Sequence, residues 1–292
     1  MRDRLPCFDY YAPATLAEAT HLLASKEGAV VLQGGTDLWV ATKQKGLRPQ
    51  SVVSLKKLRP LLSTIEEEDD RTLIGASTTF SQIERSLLIE RRFPVLHEAV
   101  RQIASYQIRN TATIGGNLCN ASPAADSAPP LLVLDATLVI QGPGGQRELP
   151  IDGFFKGPGK TALDRGEMLT HISLPNPPPG AGAAFVKLGR RISEDISIAS
   201  AAAWVLLKGH RVEDVKIALG SVAPTPLRAR HAEDALKGGT PSESSYEEAG
   251  QAAMQECRPI TDVRASADYR RAMVRVLTKN ALKKAVERAT EA

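Results

Sequence analysis

Two glycine pairs, each placed just after a β-like run, constrain this chain more than any other feature. They are Leu32-Gln33-Gly34-Gly35-Thr36-Asp37 and Thr113-Ile114-Gly115-Gly116-Asn117-Leu118. Each presents glycines followed by hydroxyl or amide groups. Glycine tolerates positive φ and carries no Cβ, so backbone N–H groups at such a place can approach a phosphate closely. A helix starting at Asp37 would add its positive end to the first segment. Taken alone, that segment reads as a plain β-turn-α connection. It is not G-x-G-x-x-G and so predicts no Rossmann site. Two such segments far apart in one chain predict a ligand with a long, doubly charged middle, and a dinucleotide pyrophosphate fits that description.

The 292 residues are enough for two or three domains. A formal charge of +4 is a mild basic bias. No long basic run carries interleaved aromatics, so nucleic acid is not the expected partner. The start, Met1 to Pro6, lacks an apolar stretch of the signal-peptide kind. No run of about 20 apolar residues predicts a membrane span. Cys7, Cys119 and Cys257 are widely spaced and form no C-x-x-C pair. An odd, scattered set argues for reduced thiols and a cytoplasmic protein, and against an iron–sulfur cluster held by this chain alone.

Periodicity places the motifs. Thr15 to Glu18 is a capping box followed by apolar residues at helical spacing, and it sits inside a β-α-β unit ending at Ser51–Leu55. Leu62–Ile65 and Thr72–Ala76 flank the acidic run Glu66–Asp70 as a hairpin, with the run read as a solvated loop. Pro94–Ala104 reads as a helix with Pro near its start. Ala128–Leu134 reads as another, and Met168–Leu174 as a strand. The linker Pro175–Gly180 precedes strands Ala183–Leu188, Ile196–Leu207 and Val212–Gly220, then helices Arg228–Lys237, Ser242–Glu256 and Ala267–Ala289. The division predicted is 1–55 and 56–176 as two ligand-binding subdomains, and 181–292 as a C-terminal domain of three antiparallel strands with helices. The fold class is α+β.

The stretch from Gln107 to Asp126 is dense in hydroxyls, amides and small residues. A long polar connection inside a compact chain is usually functional or disordered, and its apolar flanks argue against disorder. Thr113, Asn117, Asn120, Ser122 and Asp126 are candidates for ribityl hydroxyls and phosphates. Asp126 suits a sugar hydroxyl better than a phosphate, since like charges repel. Arg109 reads equally as an anchor of the stretch or as a phosphate partner. Cys119 reads as a small packing residue rather than a redox thiol. The five histidines show no ligand spacing.

Four phrases in order, Tyr11-Ala12-Pro13-Ala14-Thr15-Leu16-Ala17-Glu18-Ala19, the QGGTD of residues 33–37, the QIRNTATIGGNL of 107–118 with its ASPAAD continuation, and the tail Asp262–Arg271, resemble the FAD-binding medium subunits of molybdenum hydroxylases. The resemblance spans nearly the whole chain. It implies a two-subdomain FAD-binding fold of the PCMH type. Leu32, Gln33, Gly34, Gly35, Thr36, Asp37 and Leu38 match the first FAD segment. Thr113, Gly116, Asn117, Cys119 and Asp126 match the second, while Leu169 and Lys187 match positions near the isoalloxazine. Ala125 stands where some relatives carry serine. No cysteine-rich insertion follows Ser122-Pro123, which implies a chain carrying flavin only. By resemblance, a large subunit with a molybdenum cofactor and a small subunit with two [2Fe–2S] clusters are partners in a dimer of heterotrimers. The FAD would pass electrons to NAD⁺, a quinone or another acceptor. A non-catalytic assembly subunit without flavin and a flavin oxidase working alone stand as alternatives.

Overall fold

Short apolar strands alternate with capped helices and build three main sheets. The computed structural model describes residues 5–191 and 194–291. The first sheet pairs β1 (Asp9–Tyr11), β2 (Ala29–Leu32) and β3 (Ser51–Ser54) in parallel, with β3 central. The helix Leu16–Ser25 is the crossover. Thr15 Oγ1 accepts the Glu18 N–H at 3.1 Å, and the Glu18 carboxylate accepts the Ala14 N–H at 2.8 Å. The predicted capping box is thus present, with its return bond reaching one residue further back.

The second sheet is antiparallel. Its strands are β4 (Ile65–Glu67), β5 (Arg71–Gly75), β6 (Thr137–Gly142) and β7 (Gly145–Pro150). A small two-stranded sheet, β8 (Phe155–Gly157) with β9 (Lys160–Thr161), follows, and then β10 (Met168–Pro175) enters the middle, giving the order β4-β5-β10-β6-β7. The acidic run is partly strand rather than all loop: Glu66 and Glu67 stand exposed on the edge strand β4, and Glu67 pairs with Arg92. Helices under this sheet bury Phe80, Phe93, Leu96, Ile114 and Leu131 into one core.

The third sheet contains β11 (Ala181–Leu188), β12 (Ala199–Lys208) and β13 (Arg211–Gly220), the three antiparallel strands expected. A two-residue β14 (Leu227–Arg228) adds a fourth at the edge. Both faces of β12 are covered, so its stretch from Ala201 to Leu207 is apolar throughout rather than alternating. Ala202 and Trp204 face the core of the second sheet, while Ala201, Ala203 and Val205 face the helices Arg230–Leu236, Glu243–Glu256 and Ala267–Glu291. Strand β12 begins at Ala199, three residues later than the sequence pattern predicts. Residues 195–198 instead bend toward the second glycine segment, where Ser197 finds a partner.

The second glycine segment itself departs from expectation. Ile114–Asn120 is helical, with both glycines inside it. Helix-interior glycine is disfavoured by about 1 kcal/mol relative to alanine, so tertiary contacts must favour this turn. The cap is Thr113, and Ala121 closes the helix at φ +46°.

Candidate functional site

A cavity of about 660 Å³ opens where the two glycine segments meet. That size lies within the range of roughly 300–1,000 Å³ usual for cofactor and ligand clefts. Every residue the sequence predicts for the site lines it except Leu32 and Lys187. Leu32 packs beneath Gly35. Lys187 stands behind the wall and holds two lining residues, Asp126 through its carboxylate and Asp195 through its carbonyl.

The first segment is a tight turn running from β2 into the helix Leu38–Gln44. Gly35 sits at φ +73°, the left-handed region that favours glycine. The N–H groups of Gly35, Thr36 and Asp37 have no acceptor among the described residues. Gly34 does something different. A Cβ there would drive into the Thr111 carbonyl, so its missing side chain lets the two segments touch.

The second segment is fixed by its cap. Thr113 Oγ1 accepts the Gly116 N–H at 3.1 Å and donates to Gln33 Oε1 at 2.6 Å. Gln33 Nε2 donates in turn to Ser77 Oγ at 3.1 Å. Gln33 and Thr113 therefore lock the two segments together across the cavity floor. Gly115 packs on β5's end: its N–H donates to the Ala76 carbonyl at 2.9 Å, and a Cβ would lie 2.6 Å from the Ala76 Cβ. Gly116 faces the cavity, where a Cβ would crowd only Thr113 Oγ1, at 2.9 Å. Asn117 Oδ1 accepts from Ser127 Oγ at 2.7 Å, and its amide Nδ2 has no partner among the described residues.

The electrostatics centre on Asp126, which is 7 % exposed. Lys187 Nζ donates to Asp126 Oδ2 at 2.8 Å and to the carbonyls of Gln102, at 2.9 Å, and Asp195, at 2.8 Å. The Ser197 hydroxyl donates to Asp126 Oδ1. Burial pushes the Asp126 carboxyl up, and the Lys187 ammonium and Ser197 hydroxyl pull against it. Burial also raises Asp37, with Lys45 opposing. On Cys119, burial pushes the thiol up to about 12, which leaves no thiolate at neutral pH. Arg109 proves to be an anchor: it pairs with Glu84 at 2.9 Å and donates to the Ile103 and Ala104 carbonyls.

The sequence pattern did not reveal Asp195 and Ile196, which line the cavity from the connection before β12, or Ser197, whose hydroxyl holds the wall residue Asp126. No local signal marks them, because Ser197 lies 71 residues from its partner. Ile108 and Ile196 stand at the cavity mouth, 40 % and 49 % exposed.

The family model described as "FAD binding domain in molybdopterin dehydrogenase" matches residues 6–177, and that described as "CO dehydrogenase flavoprotein C-terminal domain" matches residues 183–285. A putative xanthine dehydrogenase FAD-binding subunit of Escherichia coli is 37 % identical over 278 residues, covering 95 % of each chain. The carbon monoxide dehydrogenase medium chain of Hydrogenophaga pseudoflava is 34 % identical, covering 95 % of this chain and 96 % of its own. A solved structure of carbon monoxide dehydrogenase from that organism superposes with a TM-score of 0.94 at 36 % identity, covering 98 % and 99 % of the two chains. A quinoline 2-oxidoreductase structure from Pseudomonas putida gives 0.92 at 28 %, covering 98 % and 99 %.

Proposed function

Because this chain belongs to the FAD-binding medium subunits of the xanthine and carbon monoxide dehydrogenase family, a family of oxidoreductases, we propose that its cavity seats FAD between the two glycine segments. The observation that carries the seating is the pairing of those segments on one cavity. One offers three open N–H groups, and the other turns a Cβ-less Gly116 toward the same space.

The residues fit the parts of such a ligand. The N–H groups of Gly35, Thr36 and Asp37 suit pyrophosphate oxygens, and the Thr36 hydroxyl adds a donor. Gly116 leaves room for the backbone to meet the ligand. The Asn117 amide donates to a hydroxyl or phosphate oxygen. Asp126 keeps lone pairs free after serving Lys187 and Ser197, and accepts from a sugar hydroxyl. Leu169 and Cys119 supply apolar wall beside the ring system. The bound flavin supplies the electron transfer itself, and the chain contributes binding, orientation and exclusion of water.

In this reading the chain works inside a complex. A large subunit carries a molybdenum cofactor and a small subunit carries two [2Fe–2S] clusters. Electrons leave toward NAD⁺, a quinone or another acceptor, and the complex is a dimer of heterotrimers. The assembled protein is cytoplasmic; in support, no helix among the described residues is long and apolar enough to cross a membrane. The reading divides the chain into functional units at 1–55, 56–176 and 181–292, and the Pro-rich connection 175–180 supports the last of these breaks.

The test is made on the co-purified complex, photoreduced without oxygen. A Gly116→Val complex should reduce its iron–sulfur clusters normally and fail to pass electrons to NAD⁺ or a quinone. Acceptor reduction at the wild-type rate by a flavin-free complex would overturn the reading.

A further inference from the structure

The helix Ala267–Glu291 carries one enclosed guanidinium, that of Arg270, which is 3 % exposed. It belongs to the tail phrase Asp262–Arg271, which the cofactor site does not use. Arg270 Nη1 donates to the Ile198 carbonyl and, at 3.2 Å, to the Ser221 carbonyl. Nη2 donates to Asp262 Oδ1 at 2.7 Å. Asp262 also accepts the Arg264 N–H at 2.8 Å and the Arg264 guanidinium at 2.7 Å. Burial opposes its ionisation, yet these donors outweigh that and hold the carboxyl down at about 2.

The two carbonyls stand at the joints between the third sheet and the cavity. Ile198 directly follows Ser197, whose hydroxyl donates to Asp126. Ser221 follows the end of β13, and its N–H donates to the Pro123 carbonyl at 2.9 Å. Ser122 and Ala124, on either side of Pro123, line the cavity. Ser221 sits at φ +64°, sparsely populated for a residue with a side chain, so its neighbours must hold it there. A planar fork can bind two carbonyls and a carboxylate at fixed angles, which an ammonium cannot.

We propose that Arg270, oriented by Asp262, is a positioning residue for the cofactor site. It clamps the start of β12 and the end of β13, so that Ser197 and the Ser221–Pro123 contact hold the wall bearing Asp126 in register. The proposal rests on the reading that this cavity seats the flavin. Arg270 does not itself line the cavity.

The test uses the full chain as wild type, Arg270→Lys, Asp262→Asn and, as a surface control, Arg271→Lys. Three quantities are read: FAD dissociation constant, visible circular dichroism of bound flavin, and amide hydrogen exchange of the flavin-free chain at 122–126 and 195–198. Arg270→Lys should weaken FAD binding about tenfold, change the flavin dichroism, and speed exchange at both segments together. Arg271→Lys should move none of these. If Arg270→Lys fails to fold, Asp262→Asn, which keeps the guanidinium, carries the same expectations in weaker form. A folded Arg270→Lys or Asp262→Asn chain with wild-type FAD affinity, dichroism and exchange would overturn the proposal, even if its melting temperature fell. A wild-type chain that takes no FAD even with partner subunits present would sink the flavin reading instead, and the exchange rates would still decide the clamp.

Discussion

The two glycine segments look alike in sequence and are built differently. The first is an open turn with three N–H groups that have no acceptor among the described residues. The second is a helix whose N–H groups are mostly committed, Gly115 to Ala76 and Gly116 to Thr113. Within each pair the labour also divides. Gly34 and Gly115 bring chain against chain, while Gly35 and Gly116 shape the cavity. A glycine pair therefore reports close approach without saying what is approached: a ligand in one case, backbone in the other.

The segments differ further in what holds them. The second is tied to the third sheet through the buried Asp126–Lys187 pair, and the first has no such anchor among the described residues. Lys187→Met should therefore have the largest effect. Removing one partner of a buried pair costs about 3–5 kcal/mol, because the remaining charge is stranded. The folded-state pKa of Asp126, already raised, should rise further in the variant. A carboxyl with a raised folded pKa loses stability as pH rises, so urea denaturation should show the largest loss at neutral pH and partial recovery as pH falls toward the ordinary carboxylate range. An equal loss at all pH values would show that the pair does not anchor the segment electrostatically.

Next come the chain-to-chain glycines. Gly34→Ala and Gly115→Ala place a methyl against backbone or a buried methyl that cannot yield, and each should cost about 1–3 kcal/mol in denaturant titrations. Unchanged stability in either would erase the division within the pairs. Gly116→Ala should separate stability from binding. Its helix gains up to about 1 kcal/mol of propensity, partly offset by crowding at Thr113 Oγ1, so stability should stay within about 1 kcal/mol of wild type while FAD affinity falls. Isothermal titration with FAD measures the second quantity, and wild-type affinity there would mean that Gly116 does not face the ligand. The smallest effect belongs to Cys119. With its thiol near 12, alkylation at pH 8 should modify the exposed Cys7 and spare Cys119 until the chain unfolds. Rapid modification of Cys119 in the native chain would contradict its raised pKa.

Much of this was legible in the chain itself. The β-α-β start, the hairpin around the acidic run and the buried strand around Ala201–Val205 follow from local periodicity. The polar floor of the cavity followed from Gln33–Asp37 and from 113–126, because each stretch presents its ligand-facing groups within a few residues. What escaped is of one kind. The helix at Ile114–Asn120 depends on Gly115 meeting Ala76, and intrinsic propensity argues against it. Ser197 is invisible because its role depends on a partner 71 residues away. Arg270 stands out as part of a phrase, yet its job is set by two carbonyls that come together only in the fold. Contacts across large sequence separations leave no local pattern.

In the proposed function the two segments close on one FAD molecule. The most direct test is the visible absorption spectrum of the purified full chain, with mass identification of whatever is released on denaturation, repeated after incubation with FAD and partner subunits. Flavin absorption bands and release of FAD, close to one per chain, are the expected result. A chain that stays colourless in both conditions, though folded, would contradict it and leave an assembly subunit that has kept the fold without the cofactor.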